Sequence, residues 1–137
     1  MKTKIFVNLP VKDLNKSIAF FTKLGFTFNP QFTDENATCM IVGEDIFVML
    51  LVEKFFKGFT KKEICNTSTS TEAILALSVE SREQVDQMMN KVIDSGGSEH
   101  REKQDHGWMY ARSFEDVDEH LWEVFFIDES AMKSSHG

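Results

Sequence analysis

The chain has 137 residues, of which 42% are hydrophobic and 13 are Phe, enough to bury a sizeable core in one domain or in two small halves sharing one. Its formal charge of −7 leaves no basic stripe to exchange for counterions, which argues against a nucleic-acid or anionic-membrane partner. Two cysteines, Cys39 and Cys65, make no disulfide framework. The start MKTKIFVNLPVKDL lacks the apolar run of a signal peptide, so a cytoplasmic protein with free thiols is expected.

The first module opens with an apolar strand, Ile5 to Val11, whose Pro10 weakens pairing near its end. Leu14, Ile18, Phe21 and Leu24 then recur at helical spacing, with Asp13 as N-cap and Gly25 as stop. Residues 26–34, 37–43 and 46–52 read as three strands separated by Asp34-Glu35-Asn36 and Gly43-Glu44-Asp45. A Phe- and Lys-rich segment with a Ser/Thr run, residues 53–71, interrupts the pattern. It is expected to form an exposed excursion or short helix followed by a linker, and Phe55, Phe56 and Phe59 within it need a surface to cover, by packing on the adjacent sheet, as a lid or as a subunit contact.

From Glu72 the pattern returns. Residues 73–79 form an apolar strand, and Ser81 followed by Gln84 is a capping-box signature opening a helix whose stripe is Val85, Met88, Met89 and Val92. Gly96-Gly97 end it. Residues 98–104 are a polar edge strand, 108–114 and 120–126 are the last two strands, and 129–137 are a polar tail. The chain is therefore an internal duplication of βαβββ, with Phe6 over Ile74 and Met49 over Glu123. The expected fold class is α+β: two tandem βαβββ modules, 3–60 and 72–128, joined by a linker at 61–71. They should form a curved, cup-shaped mixed sheet in a single domain, with the helices outside.

Two stretches carry a family likeness. VNLPVKDLNKSIAFFTKLGF resembles the opening module of the vicinal oxygen chelate superfamily, which includes glyoxalase I, extradiol dioxygenases, fosfomycin-resistance enzymes and bleomycin-resistance proteins. SFEDVDEHLWEVFF resembles its final hairpin, although Val117 and Glu119 stand where that family usually has Pro and Gly. The resemblance implies a divalent-metal site of His and Glu ligands on four related strands, and carries those positions onto Phe6, Met49, Ile74 and Glu123. Of these only Glu123 has a ligating side chain.

The histidines His100, His106, His120 and His136 fall at none of these positions, and His106 and His120 are expected as exposed loop residues at strand starts. No phosphate-binding Gly loop or nucleophile elbow is present. Strand phase puts Met109, Ala111 and Ser113 on the face of Glu123 and Asn8 on that of Phe6, while Tyr110 and Arg112 should point to the opposite side.

The expected ligand-binding set is Phe6, Asn8, Met49, Ile74, Met109, Ala111, Ser113 and Glu123, with Glu123 the one candidate for any catalysis. The resulting expectation is a small-molecule binding or sequestering protein of glyoxalase-like fold, without cofactor or metal, working as a homodimer. The alternatives are a metal-dependent lyase, dioxygenase or thiol transferase using divergent ligands, and a non-catalytic regulatory or interaction module.

Overall fold

The computed structural model describes residues 2–131. The chain divides into two compact units, Met1–Asn66 and Thr67–Gly137. The fold is α+β, one βαβββ module per unit, and each module's strands hydrogen-bond into a sheet of their own.

In the first unit, β1 (Ile5–Val11) pairs in parallel with β4 (Ile46–Val52), and β3 (Ala37–Gly43) lies antiparallel between β4 and β2 (Thr27–Asn29). Helix α1 (Leu14–Lys23) starts where the Asp13 carboxylate accepts from Lys16 N at 3.2 Å. It ends in a Schellman turn: Phe26 N reaches Phe21 O and Gly25 N reaches Thr22 O, both at 3.0 Å, with Gly25 at φ +105°. Leu14, Phe20, Phe21 and Leu24 are buried, as is Ser17, whose hydroxyl bonds back to Asp13 O. Ile18 is only half-buried. The buried stripe is thus rotated by about one residue from the spacing read in the sequence, because a small Ser tolerates close approach to the sheet once its hydroxyl is satisfied. The strand expected over 26–34 stops at Asn29, which caps a 3-10 turn, Pro30–Phe32, by accepting from Gln31 N. Pro30 cannot donate to a ladder, so pairing ends there. The 53–59 segment is helical, α2 (Glu53–Phe56) followed by a 3-10 turn. Phe55 and Phe59 pack edge to face, centroids 5.2 Å apart, yet Phe59 stays 70% exposed.

In the second unit, β5 (Ile74–Ser78) pairs in parallel with β9 (Leu121–Ile127), and β8 (Met109–Glu115) is antiparallel to β9. Helix α3 (Arg82–Asp94) is capped by Ser81, which accepts from Gln84 N at 3.1 Å, while the Gln84 side chain accepts from Glu80 N, one residue further out than a reciprocal box. Val85, Met89 and Val92 are buried against the sheet, and Met88 is half-buried. The single strand expected over 98–104 is two short pieces, β6 (Ser98–Glu99) and β7 (Gln104–Asp105), each pairing with β8. A run of charged side chains has little to gain from a continuous edge, and after His100 N, which still bonds Ser113 O, residues 101–103 leave it.

The duplication holds at the level of register. Phe6 pairs with Phe47 and Ile74 with Leu121, and in each module the equivalent residue, Met49 or Glu123, follows two positions along its strand. Cys39 opposite Met49 matches Ser113 opposite Glu123. No helix among the described residues is long and apolar enough to cross a membrane.

Candidate ligand-binding face

Strand alternation gives each sheet two faces. In the second unit one is covered by α3. Tyr110 and Phe114 of β8 and Trp122 and Val124 of β9 are buried there, with Phe114 and Trp122 stacked 6.1 Å apart. Tyr110 and Arg112 do lie on this side. The Tyr110 hydroxyl donates to Asp86 Oδ1 at 2.7 Å, Arg112 Nη1 donates to the same oxygen at 2.8 Å, and its Nε and Nη2 hold Glu99 in a fork at 2.9 Å each. The guanidinium lowers the Glu99 carboxyl pKa against the opposing effect of burial. Burial pushes Asp86 up, but the bonds from Tyr110 and Arg112 bring it net below its ordinary value. Arg82 pairs with Asp105 and lies over the Tyr110 ring, 4.4 Å from its centroid, tying β7 to α3. These groups satisfy one another and fasten helix to sheet.

The opposite face carries the residues singled out from sequence. Glu123 sits at the centre of β9, half-buried, flanked across the ladders by Ala76 and Ser113. Ser113 and Ala111 are buried, Met109 is half-buried, and Ile74 is 58% exposed. Among the described residues, the Glu123 side chain makes no hydrogen bond or ion pair. In the first unit Phe6, Asn8 and Met49 likewise share one face. Phe6 stacks on Phe47, centroids 4.8 Å apart and planes 14° off parallel, and remains 48% exposed. Asn8 is exposed, and its amide donates to Phe6 O at 3.2 Å. Cys39, opposite Met49, is buried, which pushes its thiol pKa up. The expected set therefore divides into three residues on one sheet and five on the other.

The hairpin between β8 and β9 holds what sequence reading missed. Asp116 is buried, its Oδ1 accepting from Asp118 N at 2.8 Å and His120 N at 3.0 Å, and its Oδ2 from the Trp122 indole at 2.9 Å. Burial pushes its carboxyl pKa up, while the His120 ring and the three donors pull it down. His120 itself is buried, against the expectation of an exposed loop histidine. The signal was present: an Asp four residues before His120 and six before a Trp is the pattern of a side-chain-capped turn. Glu119 occupies the left-handed region at φ +64°, so the turn that Gly would favour forms here with a Cβ. Of the other histidines, His100 Nδ1 lies 3.1 Å from Glu115, His106 sits beside Trp108, and His136 lies outside the described residues.

The metal implied by the fold does not fit this donor set. Phe6 and Ile74 have no donor atom, Met49 offers only a thioether, and Glu123 alone supplies a hard ligand. Among the described residues no group of three His, Cys, Asp or Glu side chains converges as metal ligands do.

Residues 3–43 match the family described as bleomycin resistance protein-like N-terminal. No curated protein sequence matches the chain. Among solved structures, a hypothetical protein of S. aureus is similar at 30% identity and TM-score 0.78, over 92% of this chain and 95% of that one. A glyoxalase/bleomycin resistance protein/dioxygenase family enzyme from Burkholderia phytofirmans shares the fold at 14% identity and TM-score 0.74, over 89% and 96% of the two chains. So does the genomically encoded fosfomycin resistance protein FosX of Listeria monocytogenes, at 19% identity and TM-score 0.66, over 92% and 91%. With its duplicated βαβββ register and its bleomycin-resistance-like opening module, the chain belongs to the vicinal oxygen chelate superfamily of glyoxalase-like and bleomycin-resistance-like proteins.

Proposed function

We propose that this protein captures a small, largely apolar or aromatic molecule and holds it without a metal, Glu123 receiving a cationic or hydrogen-bond-donating group of the ligand. The observation that carries this reading is the state of Glu123, a carboxylate half-buried at the centre of an apolar strand with no partner among the described residues. A carboxylate so placed has its charge available to a ligand cation beside apolar surface. Around it Ala76 and Ala111 leave space and Ile74, Leu121 and Phe125 supply apolar surface. In the first unit the exposed Phe6–Phe47 stack is a second surface suited to organic molecules. The match of residues 3–43 to a bleomycin-resistance-like module favours sequestration over chemistry.

The test is thermal stabilisation across a panel of small organic cations and neutral isosteres, with Glu123→Gln as the control. A ligand at a hundred times its Kd stabilises by about 2.7 kcal/mol, easily read as a shift in Tm. Cations should stabilise the wild type and not the variant. Equal responses from both proteins would remove Glu123 from the binding reading. The same reading includes a cytoplasmic homodimer, supported by the exposed Phe55–Phe59 pair, which a second copy would cover. Sedimentation equilibrium giving a monomer mass at high concentration would reject the dimer.

A further inference from the structure

Ser113 stands directly opposite Glu123 in the antiparallel β8–β9 ladder. The residue is 6% exposed, and its hydroxyl is buried with no hydrogen-bond partner. A buried hydroxyl without a partner is expensive, and most such groups in folded proteins are satisfied. Opposed residues in such a ladder bring their Cβ atoms within about 4.5–5.5 Å of each other. A buried hydroxyl without a partner and a half-buried carboxylate thus lie side by side, with Ala76, Ala111, Leu121 and Phe125 around them and the His100–Glu115 pair and Ser78 further along the same face. The duplicated module supplies an internal contrast: there the equivalent pair is Cys39 and Met49, which offers no such combination.

We propose that Glu123 and Ser113 form a two-point receptor for a primary ammonium group. This rests on the ligand-capture reading above and specifies the ligand's head group. An ammonium carries three N–H donors on one head about the size of a water molecule. One donates to the Glu123 carboxylate and another to a lone pair of the Ser113 oxygen. The Ser113 oxygen lies just beneath the surface, so a head group reaches it as the side chains over it shift aside, and a small terminal head asks the least of that shift. A quaternary ammonium brings the charge but no N–H and is too bulky to reach that oxygen. An alcohol reaches it but brings no charge for Glu123. The ligand class is therefore a primary amine on a short apolar or aromatic body.

Benzylamine, benzyltrimethylammonium and benzyl alcohol, titrated by amide chemical-shift changes into wild type, Ser113→Ala and Glu123→Gln, test this directly. The wild type should prefer benzylamine over benzyltrimethylammonium by about tenfold or more, the worth of a charge-assisted hydrogen bond. Ser113→Ala should stay folded and shrink that ratio to below about threefold, with benzyltrimethylammonium affinity unchanged. Glu123→Gln should weaken both cations together. A ratio unchanged in Ser113→Ala means that water alone serves the hydroxyl, and overturns the two-point receptor. Equal affinity for the two cations in the wild type, still dependent on Glu123, overturns it too while leaving ligand capture standing. No cation binding, or binding indifferent to Glu123→Gln, brings down the capture reading and this inference with it. If the Ala variant does not fold, Ser113→Cys, of similar shape with a much weaker donor and acceptor, gives the same discrimination.

Discussion

Replacing Asp116 with Asn should destabilise the second unit strongly, although the two side chains are nearly isosteric. The carboxylate accepts from two backbone N–H groups through Oδ1 and from the Trp122 indole through Oδ2. An Asn can keep its oxygen toward Asp118 N and His120 N, but then its NH2 meets the indole N–H donor to donor. Flipping the amide trades that conflict for two worse ones. Trp122 is fully buried, so its N–H has no recourse to water. An orphaned buried donor costs about 1–3 kcal/mol, and the two remaining bonds lose their charge assistance, together about 2–4 kcal/mol. For a chain of this size that is a fall in Tm of about 10 °C. Denaturant unfolding followed by near-UV dichroism supplies the number, and a cycle with Trp122→Phe isolates the indole contribution, because the Asn penalty should shrink once the N–H is gone. A cost under about 0.5 kcal/mol, or no coupling to Trp122, would refute the view that Asp116 organises the hairpin.

Three further outcomes are expected. Glu119→Gly should stabilise by about 0.5–1 kcal/mol, because the left-handed φ of +64° costs an L residue more than Gly loses in unfolded-state entropy; destabilisation in chemical denaturation would contradict it. Arg112→Met should cost about 2 kcal/mol, less than a fully buried pair because Asp86 is half-exposed. It should also flatten the acid limb: Asp86 and Glu99, held below their ordinary values of 3.8 and 4.5, contribute stability that is present above those values and lost as pH falls through the lower folded ones. An unchanged acid limb in urea titrations at several pH values would count against it. Finally, protein grown with Zn, Ni, Mn and Fe supplements should leave gel filtration without stoichiometric metal, whereas one retained equivalent by elemental analysis would restore the metalloenzyme reading.

The duplication was legible because its signals are local and strong. Asp13 and Gly25, Ser81 and Gly96 bracket two helices of equal role, and the apolar runs at 46–52 and 120–126 read as strands. Strand phase then placed Met109, Ala111, Ser113 and Glu123 on one face, since seven unbroken residues of β8 leave no bulge to shift it. Where polar side chains decide the backbone, the reading failed. Asn29 ends β2 by capping a turn, and the charged run at 98–104 splits around residues that leave the edge. Asp116 organises its hairpin through partners two, four and six residues away, a geometry that the apolar period cannot express. The same division bears on function. In the hairpin, polar groups in an apolar setting are fully paired, which marks Asp116, Trp122 and the buried His120 backbone as structural. Only a few residues along the same two strands, the Ser113 hydroxyl is buried without a hydrogen-bond partner, and the half-buried Glu123 carboxylate beside it has none among the described residues. Since this fold satisfies its buried polar groups nearly everywhere else, the unpaired couple is the place where a partner from outside has to be sought.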